Sequence, residues 1–416
     1  MHKKFFPFIC ICLIMTGLLG FSGCGSPSSD FSGVPIESES LSDTKDDYSV
    51  NDNVIQESDR FDLINIPEAD ISKYLVFERQ LETEYASEFK VFYYADGYVL
   101  LSVVEDDSKF LIIPEGKDVP EDIKEEINVI RRPVKDIYLV SSAVMDMFAG
   151  LDGVDAITFS GKKEKDWCID KAADAMREGK MLYAGKYSKP DYEMIVSGDC
   201  SLVIENTMIY HSPEVKERFE EFGIPVMVEY SNYENHPLGK VEWIKFFGAL
   251  LGKDEEAQKI YEEQKHLVKE VESGKKSDKT VAYFYITSNN LIQVRKSSDH
   301  IPKMIEIAGG KYIYEDLESE DSKLMINMQI EQFYSDAKDA DILIYNSSID
   351  GGVGSLDELF AKCDLFKDFK AVKEGNVWCT SKDMYQESLS TGKMIEDLNR
   401  IINEDYENLN YLYRLF

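Results

Sequence analysis

Hydrophobic positions first form short, closely spaced runs. Aromatic and β-branched residues occupy 91–94, 98–104 and 109–113, and Asp96-Gly97 separates the first two runs. Two short β-rich runs joined by turn residues are typical of an antiparallel hairpin. This region is therefore predicted to be a β-hairpin followed by a third strand.

The pattern changes after Pro133. Residues 137–140, 202–204 and 225–228 are apolar without alternation, and helical patterns at 166–178 and 213–222 lie between them. Strands that are apolar on both faces and alternate with helices are typical of a parallel sheet. The pattern predicts an α/β lobe.

The middle of the chain has the periodicity of helices instead. Residues 237–251 and 254–271 have helical patterns, and Gly252 breaks them apart. A polar, lysine-rich link at 273–279 precedes further apolar strands, listed here: 281–286, 341–345 and 376–378.

The predicted fold class is α/β, with two α/β lobes of mainly parallel sheets joined by a single bridging helix and an N-terminal β-hairpin addition. The boundaries follow the changes of pattern. The first lobe is placed at 61–236, the bridging helical connector at 237–273 and the second lobe at 274–416.

Composition separates the segment before residue 61 from the rest. Residues 25–60 are rich in serine and acidic residues and poor in large apolar ones. Such a stretch buries too little surface to offset the entropy of ordering, so 24–60 is predicted to be a disordered acidic tether. The whole chain carries a net charge of −32, which disfavours nucleic acid as a partner.

The first 23 residues have the order of a secretory signal. Lys3 and Lys4 precede an apolar run at 5–21, and Ser22-Gly23-Cys24 then ends it with small residues before a cysteine. This ending resembles the bacterial lipobox. It implies that residues 1–23 are removed, that Cys24 carries a lipid and that this lipid anchors the protein to the outer face of the cytoplasmic membrane. We expect the source to be a Gram-positive bacterium.

Patterns typical of enzymes and metal centres are missing from the sequence. Cys168, Cys200, Cys363 and Cys379 form no close pair, and the five histidines form no H-E-x-x-H pattern. There is also no G-x-S-x-G, P-loop or G-x-G-x-x-G motif. We therefore predict no enzymatic activity, no cofactor and no metal ligands, and expect the four cysteines to be free.

One pattern occurs in both predicted lobes. Glu193 lies at the start of a short helical pattern before the strand at 202–204, and Glu331 lies at the start of another before 342–344. A carboxylate in the first turn of a helix is stabilised by the helix dipole, so capping alone could explain each glutamate.

The paired glutamates on two helix-linked lobes resemble the substrate-binding proteins of ABC importers for iron–siderophores, haem and cobalamin. The resemblance covers roughly 136–403. It is closer still to a subgroup of iron-type binding lipoproteins, on the segments 182–188, 205–213, 223–229 and 233–239. The resemblance implies that Glu193 and Glu331 dock onto an ABC permease, and that the ligand is an iron–siderophore, haem or cobalamin.

Loops that follow strands are where open α/β sheets bind ligands. We expect the two lobes to face each other across a cleft lined by such loops. Aromatic side chains with polar groups suit a bulky chelate or tetrapyrrole, and arginine suits carboxylates or catecholates. The candidate ligand residues are Ser142, Tyr187, Tyr210, His211, Tyr233, His236, Arg295, Trp378 and Tyr385.

A receptor for free zinc or manganese ions is the alternative hypothesis. Such a site would need about three histidines and a carboxylate. His211, His236, His300 and Glu234 are the residues that could supply them.

Overall fold

A computed structural model describes residues 67–319, 324–347 and 352–416. The predicted leader, Cys24 and the tether at 24–60 lie outside the described residues. Within the described part of the chain, every helix is too short or too polar to cross a bilayer.

The N-terminal addition is a five-stranded sheet with the order β1-β2-β3-β4-β5. Its first four strands are antiparallel, and β5 runs parallel to β4. The predicted hairpin and third strand are confirmed as β2, β3 and β4, whereas β1 and β5 were not predicted. Asp96 and Gly97 turn the chain with positive φ angles of 63° and 85°. The strands are β1 (Phe77–Gln80), β2 (Phe89–Tyr94), β3 (Val99–Val103), β4 (Lys109–Ile113) and β5 (Ile127–Arg131).

The first lobe is built on a parallel sheet with the order β12-β11-β6-β7-β8. All residues of β6 and β12, and all of β11 except Asn206, are buried, as the unbroken apolar runs predict. A two-stranded hairpin of β9 and β10 lies beyond β8 in the chain. The strands are β6 (Ile137–Leu139), β7 (Ile157–Ser160), β8 (Leu182–Tyr183), β9 (Gly185–Lys186), β10 (Lys189–Pro190), β11 (Leu202–Asn206) and β12 (Val226–Glu229). The helices are α1 (Ser142–Gly150), α2 (Asp170–Arg177), α3 (Tyr192–Ser197) and α4 (Pro213–Glu221).

The connector consists of α5 (Pro237–Leu251) and α6 (Asp254–Glu272), as the two helical patterns predict. Gly252 ends α5 in the left-handed conformation, with φ 74°, where a side chain would be strained. Nearly all of α5 is buried, because it packs against α6 on one side and the N-terminal sheet on another.

Two buried carboxylates fasten the N-terminal sheet to the connector. Glu242, on α5, accepts hydrogen bonds from the backbone N–H groups of residues 84, 85 and 86 at 2.9–3.1 Å and from Lys245 Nζ at 2.7 Å. Glu234 accepts hydrogen bonds from the N–H groups of Ser87 and Glu88 and from the Trp243 indole. These contacts satisfy the backbone between β1 and β2, which makes no ladder there.

The second lobe has a seven-stranded mixed sheet with the path β16-β14-β13-β17-β18-β19, on which β15 also pairs with β13. The centre, β13, β17 and β18, is parallel, and the outer strands β14, β16 and β19 are antiparallel. The strands are β13 (Thr280–Ile286), β14 (Ile292–Arg295), β15 (Lys311–Tyr312), β16 (Met325–Met328), β17 (Ile342–Tyr345), β18 (Val377–Thr380) and β19 (Leu412–Arg414). The helices are α7 (His300–Ile307), α8 (Ile330–Ala337), α9 (Leu356–Lys362), α10 (Lys370–Lys373) and α11 (Thr391–Ile402).

Candidate functional site

The loop after β18 joins the two lobes directly. Gln386 accepts a hydrogen bond from the backbone N–H of Cys168 and donates one to the carbonyl of Asp166, both at 2.9 Å. Two residues further on, the Ser388 hydroxyl donates to the Ala143 carbonyl of α1 at 2.9 Å. Because strand-end loops of both lobes meet here, this junction is the candidate ligand cleft.

Four charged side chains cluster at the junction, and we call them the junction cluster: Glu229, Lys240, Arg295 and Asp299. Arg295 Nη1 lies 3.1 Å from Asp299 Oδ2, and their side chains are 14% and 1% exposed. Glu229, at the end of β12, accepts hydrogen bonds from Ser141 Oγ at 2.8 Å and Ser231 N at 2.9 Å.

Electrostatic coupling links the junction cluster across the connector. Burial lowers the pKa of Lys240, while Glu229 and Asp299 act in the opposite direction. Burial also opposes ionisation of Asp299, but the Arg295 charge, the hydrogen bond from Ile301 N and the Lys240 charge act together with the nearby His300 to hold the Asp299 pKa below its usual value. The junction cluster contains two acids and two bases, so its formal charges sum to zero. A neutral or zwitterionic ligand group can therefore bind against the cluster without leaving a net buried charge.

His300 and two tyrosines flank the cluster in the second lobe. Burial lowers the pKa of His300 to about 3, so its imidazole is neutral, and Nδ1 has no hydrogen-bond partner among the described residues. The hydroxyls of Tyr283, in β13, and Tyr385, after β18, are hydrogen-bonded to each other.

A second group at the cleft joins the first lobe to the N-terminal sheet. We call Tyr210, Tyr230 and Asp106 the tyrosine–acid triad. The Tyr210 hydroxyl hydrogen-bonds the Tyr230 hydroxyl and lies 3.3 Å from Asp106 Oδ2, in the turn between β3 and β4. Burial raises the pKa of Tyr210 to about 12 and that of Tyr230 further. Tyr233 packs edge-on against Tyr230, with ring centroids 5.4 Å apart.

Four of the predicted cleft residues therefore lie in or beside the tyrosine–acid triad and the junction cluster, and the others lie at separate positions. Tyr210 and Tyr233 lie around the tyrosine–acid triad, and Arg295 and Tyr385 lie at or beside the junction cluster. Ser142 is the first residue of α1, next to the Ser141 that binds Glu229.

Other predicted residues have different surroundings. Tyr187 is at the tip of the hairpin between β9 and β10, and His211 is exposed. His236 accepts a hydrogen bond from Leu238 N at the start of α5 and stacks on Tyr85 at 4.1 Å, and burial lowers its pKa to about 4.

Trp378 is 1% exposed and lies in the core of the second lobe. Its indole N–H donates to Asn376 Oδ1 at 2.8 Å, and its ring packs on Tyr406 with centroids 5.2 Å apart. These contacts satisfy both its polar and its apolar parts, so we leave it outside the candidate site.

Sequence reasoning missed Asp106, Lys240, Tyr283, Asp299 and Gln386. A signal was present for Lys240, because a charged side chain in a largely apolar helix needs a polar partner, as Glu242 and Lys245 of the same helix also do. Asp299 pairs with the predicted Arg295 four residues before it, whereas Asp106, Tyr283 and Gln386 become neighbours of the cleft only through contacts between distant segments.

Glu193 and Glu331 occupy equivalent places in the two lobes. Glu193 is in the first turn of α3, before β11, and Glu331 is in the first turn of α8, before β17. Both are exposed, and neither forms an ion pair within the described ranges 67–319, 324–347 and 352–416. Each helix precedes a strand that pairs in parallel with its neighbour in the sheet: β11 pairs with β6, and β17 pairs with β13.

The residues that could bind zinc or manganese in the alternative hypothesis each contact a different partner. Glu234 binds the backbone at 87–88, His236 caps α5 and His300 lies beside Asp299. Across the described residues, no three or more His, Cys, Asp and Glu side chains are placed to hold a metal ion. Among the described residues, Cys168, Cys200, Cys363 and Cys379 form no disulfide bond.

Comparison with known proteins adds family evidence. The family model described as periplasmic binding protein matches residues 137–384, well over half of the chain. An uncharacterised lipoprotein of Methanocaldococcus jannaschii is 27% identical over 71% of this chain and 73% of its own length, and a second is 25% identical over 80% and 86%.

Solved structures share the fold. An ABC transporter substrate-binding protein from Listeria monocytogenes is 18% identical with a TM-score of 0.50, covering 64% of this chain and 98% of that one. A periplasmic haem-binding protein of Vibrio cholerae is 14% identical with a TM-score of 0.50, covering 63% and 97%.

Proposed function

The chain belongs to the periplasmic binding protein family, and we propose that it is the extracytoplasmic solute-binding lipoprotein of an ABC importer. Proteins of this family bind solutes, and the chain is not an enzyme. In this proposal the two lobes capture an iron chelate, such as an iron–siderophore or haem, or cobalamin, and deliver it to a permease.

The pair Glu193 and Glu331 carries the proposal. Two exposed carboxylates that have no ion-pair partner among the described residues, in the first turns of equivalent helices on two lobes, can meet two basic groups of one partner at the same time. Charge pairing of this kind sets the orientation and rate of docking more than the affinity for ligand.

The docking experiment compares two double variants in cells that depend on the importer. Glu193→Ala with Glu331→Ala should abolish uptake while ligand affinity stays within about threefold, because neither side chain belongs to the cleft clusters. Glu214→Ala with Asp357→Ala is the matched control, since both are exposed first-turn carboxylates of α4 and α9. Loss of ligand affinity in the first variant, or equal loss of uptake in both, would contradict the docking role.

The cleft chemistry supports a bulky, partly aromatic ligand. Tyr210, Tyr233, Arg295 and Tyr385 provide aromatic surface with polar groups and one guanidinium. Native mass spectrometry with an absorbance spectrum of protein isolated from its own cells will identify the ligand, because haem, cobalamin and most ferric chelates are coloured. A colourless protein with stoichiometric zinc or manganese would instead support the free-metal alternative.

We propose that Cys24 carries a lipid that holds the receptor beside its permease. The leader pattern and the lipoprotein relatives support this proposal, and the anchor would act by raising the local concentration of receptor. Cys24→Ser should release the protein from membranes to the medium. The relatives are archaeal and lend no support to a Gram-positive source.

A further inference from the structure

Four lysines lie together at one edge of the first lobe, and we call them the lysine rim: Lys162, Lys163, Lys186 and Lys189. The first two follow β7, and the other two form the hairpin of β9 and β10. The Ala184 N–H donates to the Ser160 carbonyl at 3.0 Å, so the two segments leave the parallel sheet side by side. The rim therefore combines charges from two separate stretches of the chain.

The hairpin holds its two lysines in a fixed place. Gly185 has a φ angle of 93°, and a Cβ there would clash with the Lys189 carbonyl, so this close turn requires glycine. The Tyr138 hydroxyl donates to the Gly185 carbonyl at 2.9 Å and ties the hairpin to β6. Lys186 and Lys189 are paired directly opposite each other. Like charges in that position repel, so the pair favours an anionic partner.

The rim has no carboxylate partner of its own in the described part of the chain, where none of its lysines forms an ion pair. Lys163 Nζ lies 5.4 Å from the centre of the Tyr183 ring, and Lys162 Nζ lies 5.8 Å from that of Trp167. Glu164, the acid next to Lys163, is paired with Arg177 at 3.3 Å. The positive charge of the rim is therefore available to an external anion.

Exposed apolar side chains lie beside these charges. Leu182 and Tyr183 form β8 at the edge of the sheet and are 45% and 38% exposed. Lysines near a sheet edge also hinder pairing with another chain, but that role does not explain the opposed lysines of the hairpin. Lysine and tyrosine beside exposed leucine suit a membrane interface, where ammonium groups meet headgroups and tyrosine rings lie at the same depth.

We propose that the lysine rim, together with Leu182 and Tyr183, is a contact surface for anionic lipid headgroups. The chain as a whole is acidic and is repelled by such a membrane, so approach by this face is favoured. Screening limits the repulsion from distant carboxylates to about 8 Å at physiological salt.

The contact orients the docking helix α3. Lys189 lies four residues before Glu193, and Asp191 between them caps α3 by accepting a hydrogen bond from Met194 N at 3.1 Å. A rim held against headgroups therefore keeps the Glu193 side of the first lobe close to the membrane that contains the permease. This inference rests on the proposed function, because it requires both the lipid anchor and the permease.

Vesicle flotation tests the surface without the anchor. The purified chain without its leader, carrying Cys24→Ser, is mixed at low ionic strength with vesicles of phosphatidylglycerol and phosphatidylcholine, or of phosphatidylcholine alone. It should bind the anionic vesicles at least tenfold more tightly than the neutral ones, and added salt should weaken that binding. Replacing all four rim lysines by Gln should remove most of the preference. The unfolding midpoint of this variant should not fall, since the replaced groups form no ion pairs.

A matched variant removes the same charge elsewhere. Four exposed lysines outside 157–190 are replaced by Gln in this control: Lys259, Lys269, Lys275 and Lys338. It should bind like the unsubstituted chain. Equal loss in both variants, or no preference for anionic vesicles before substitution, would overturn the surface.

Uptake measurements separate this inference from the proposed function. If the chain ignores anionic vesicles but the rim variant still loses uptake, the rim meets an acidic protein surface and the lipid assignment is wrong. Uptake that depends on Glu193 and Glu331 would leave the proposed function standing in that case. Uptake independent of both glutamates would overturn the docking role, whatever the vesicles show.

Discussion

Replacing Glu242 by Gln tests how the N-terminal sheet is held to the connector. The side chain is fully buried, and its carboxylate accepts hydrogen bonds from three consecutive backbone N–H groups and from Lys245 Nζ. A glutamine keeps the shape but offers one acceptor oxygen instead of two. It also leaves the Lys245 ammonium, whose side chain is 6% exposed, without its counter-charge.

The expected loss follows from the cost of leaving these groups unpaired. Breaking a buried ion pair by removing one partner costs about 3–5 kcal/mol, and an unsatisfied buried donor adds about 1–3 kcal/mol. Lys245 keeps a cation–π contact with Tyr261 at 4.0 Å, which offsets part of the loss. We therefore expect Glu242→Gln to lower the free energy of unfolding by about 3–5 kcal/mol.

Urea unfolding and hydrogen–deuterium exchange measure the effect. The amides of residues 84–86 should exchange much faster in Glu242→Gln, because their acceptor is weakened. Adding Lys245→Met should recover part of the stability, since the pair is then replaced by apolar and neutral groups. Glu262→Gln is the control, because Glu262 is 45% exposed and pairs with Lys265, so its loss should cost less than about 1 kcal/mol.

A loss below about 1 kcal/mol for Glu242→Gln, with unchanged exchange at 84–86, would refute the reasoning. It would mean that the apolar contacts between the sheet and α5, such as Phe89 on Trp243 at 5.0 Å, hold the two together without the carboxylate.

Three further outcomes concern the junction. Burial raises the pKa of Asp146 to about 6 from 3.8, despite the hydrogen bond from Leu389 N and with Glu387 adding to the rise, so ionisation disfavours the folded state. The free energy of unfolding should therefore fall by on the order of 2 kcal/mol as the pH rises from 4 to 6. Asp146→Asn should remove this contribution, which unfolding measured at several pH values across the range will show. Gln386→Ala removes both hydrogen bonds to residues 166–168 and should speed amide exchange at Cys168 at least tenfold, with unchanged exchange counting against a junction role. Native alkylation should modify the exposed Cys168 and spare the buried Cys200 and Cys379, as peptide mass spectrometry will show.

Local signals in the sequence identified many of the elements. The turn at Asp96-Gly97, the two connector helices and the first-turn positions of Glu193 and Glu331 are confirmed, because each depends on neighbouring residues and on backbone conformation. The predicted helix at 166–178 begins later, at Asp170, since the segment before it forms a short 3-10 helix and the loop that meets Gln386.

The added strands β1 and β5 escaped prediction for a physical reason. β1 is mostly exposed and polar, and β5 alternates weakly, so neither has a hydrophobic run. Their pairing with β2 and β4 supplies the hydrogen bonds that define them, and those bonds depend on the sheet already being assembled.

The sequence by itself determined the alternation of the central strands and helices, the break at Gly252 and the first-turn glutamates, because period, turn chemistry and capping act over a few residues. Only the tertiary structure decided which loops share the cleft. Asp106 reaches Tyr210 across 104 residues, and the N–H groups at 84–86 reach Glu242 across more than 150. Such contacts arise when sheets and connector pack around a common core, and no local pattern encodes them.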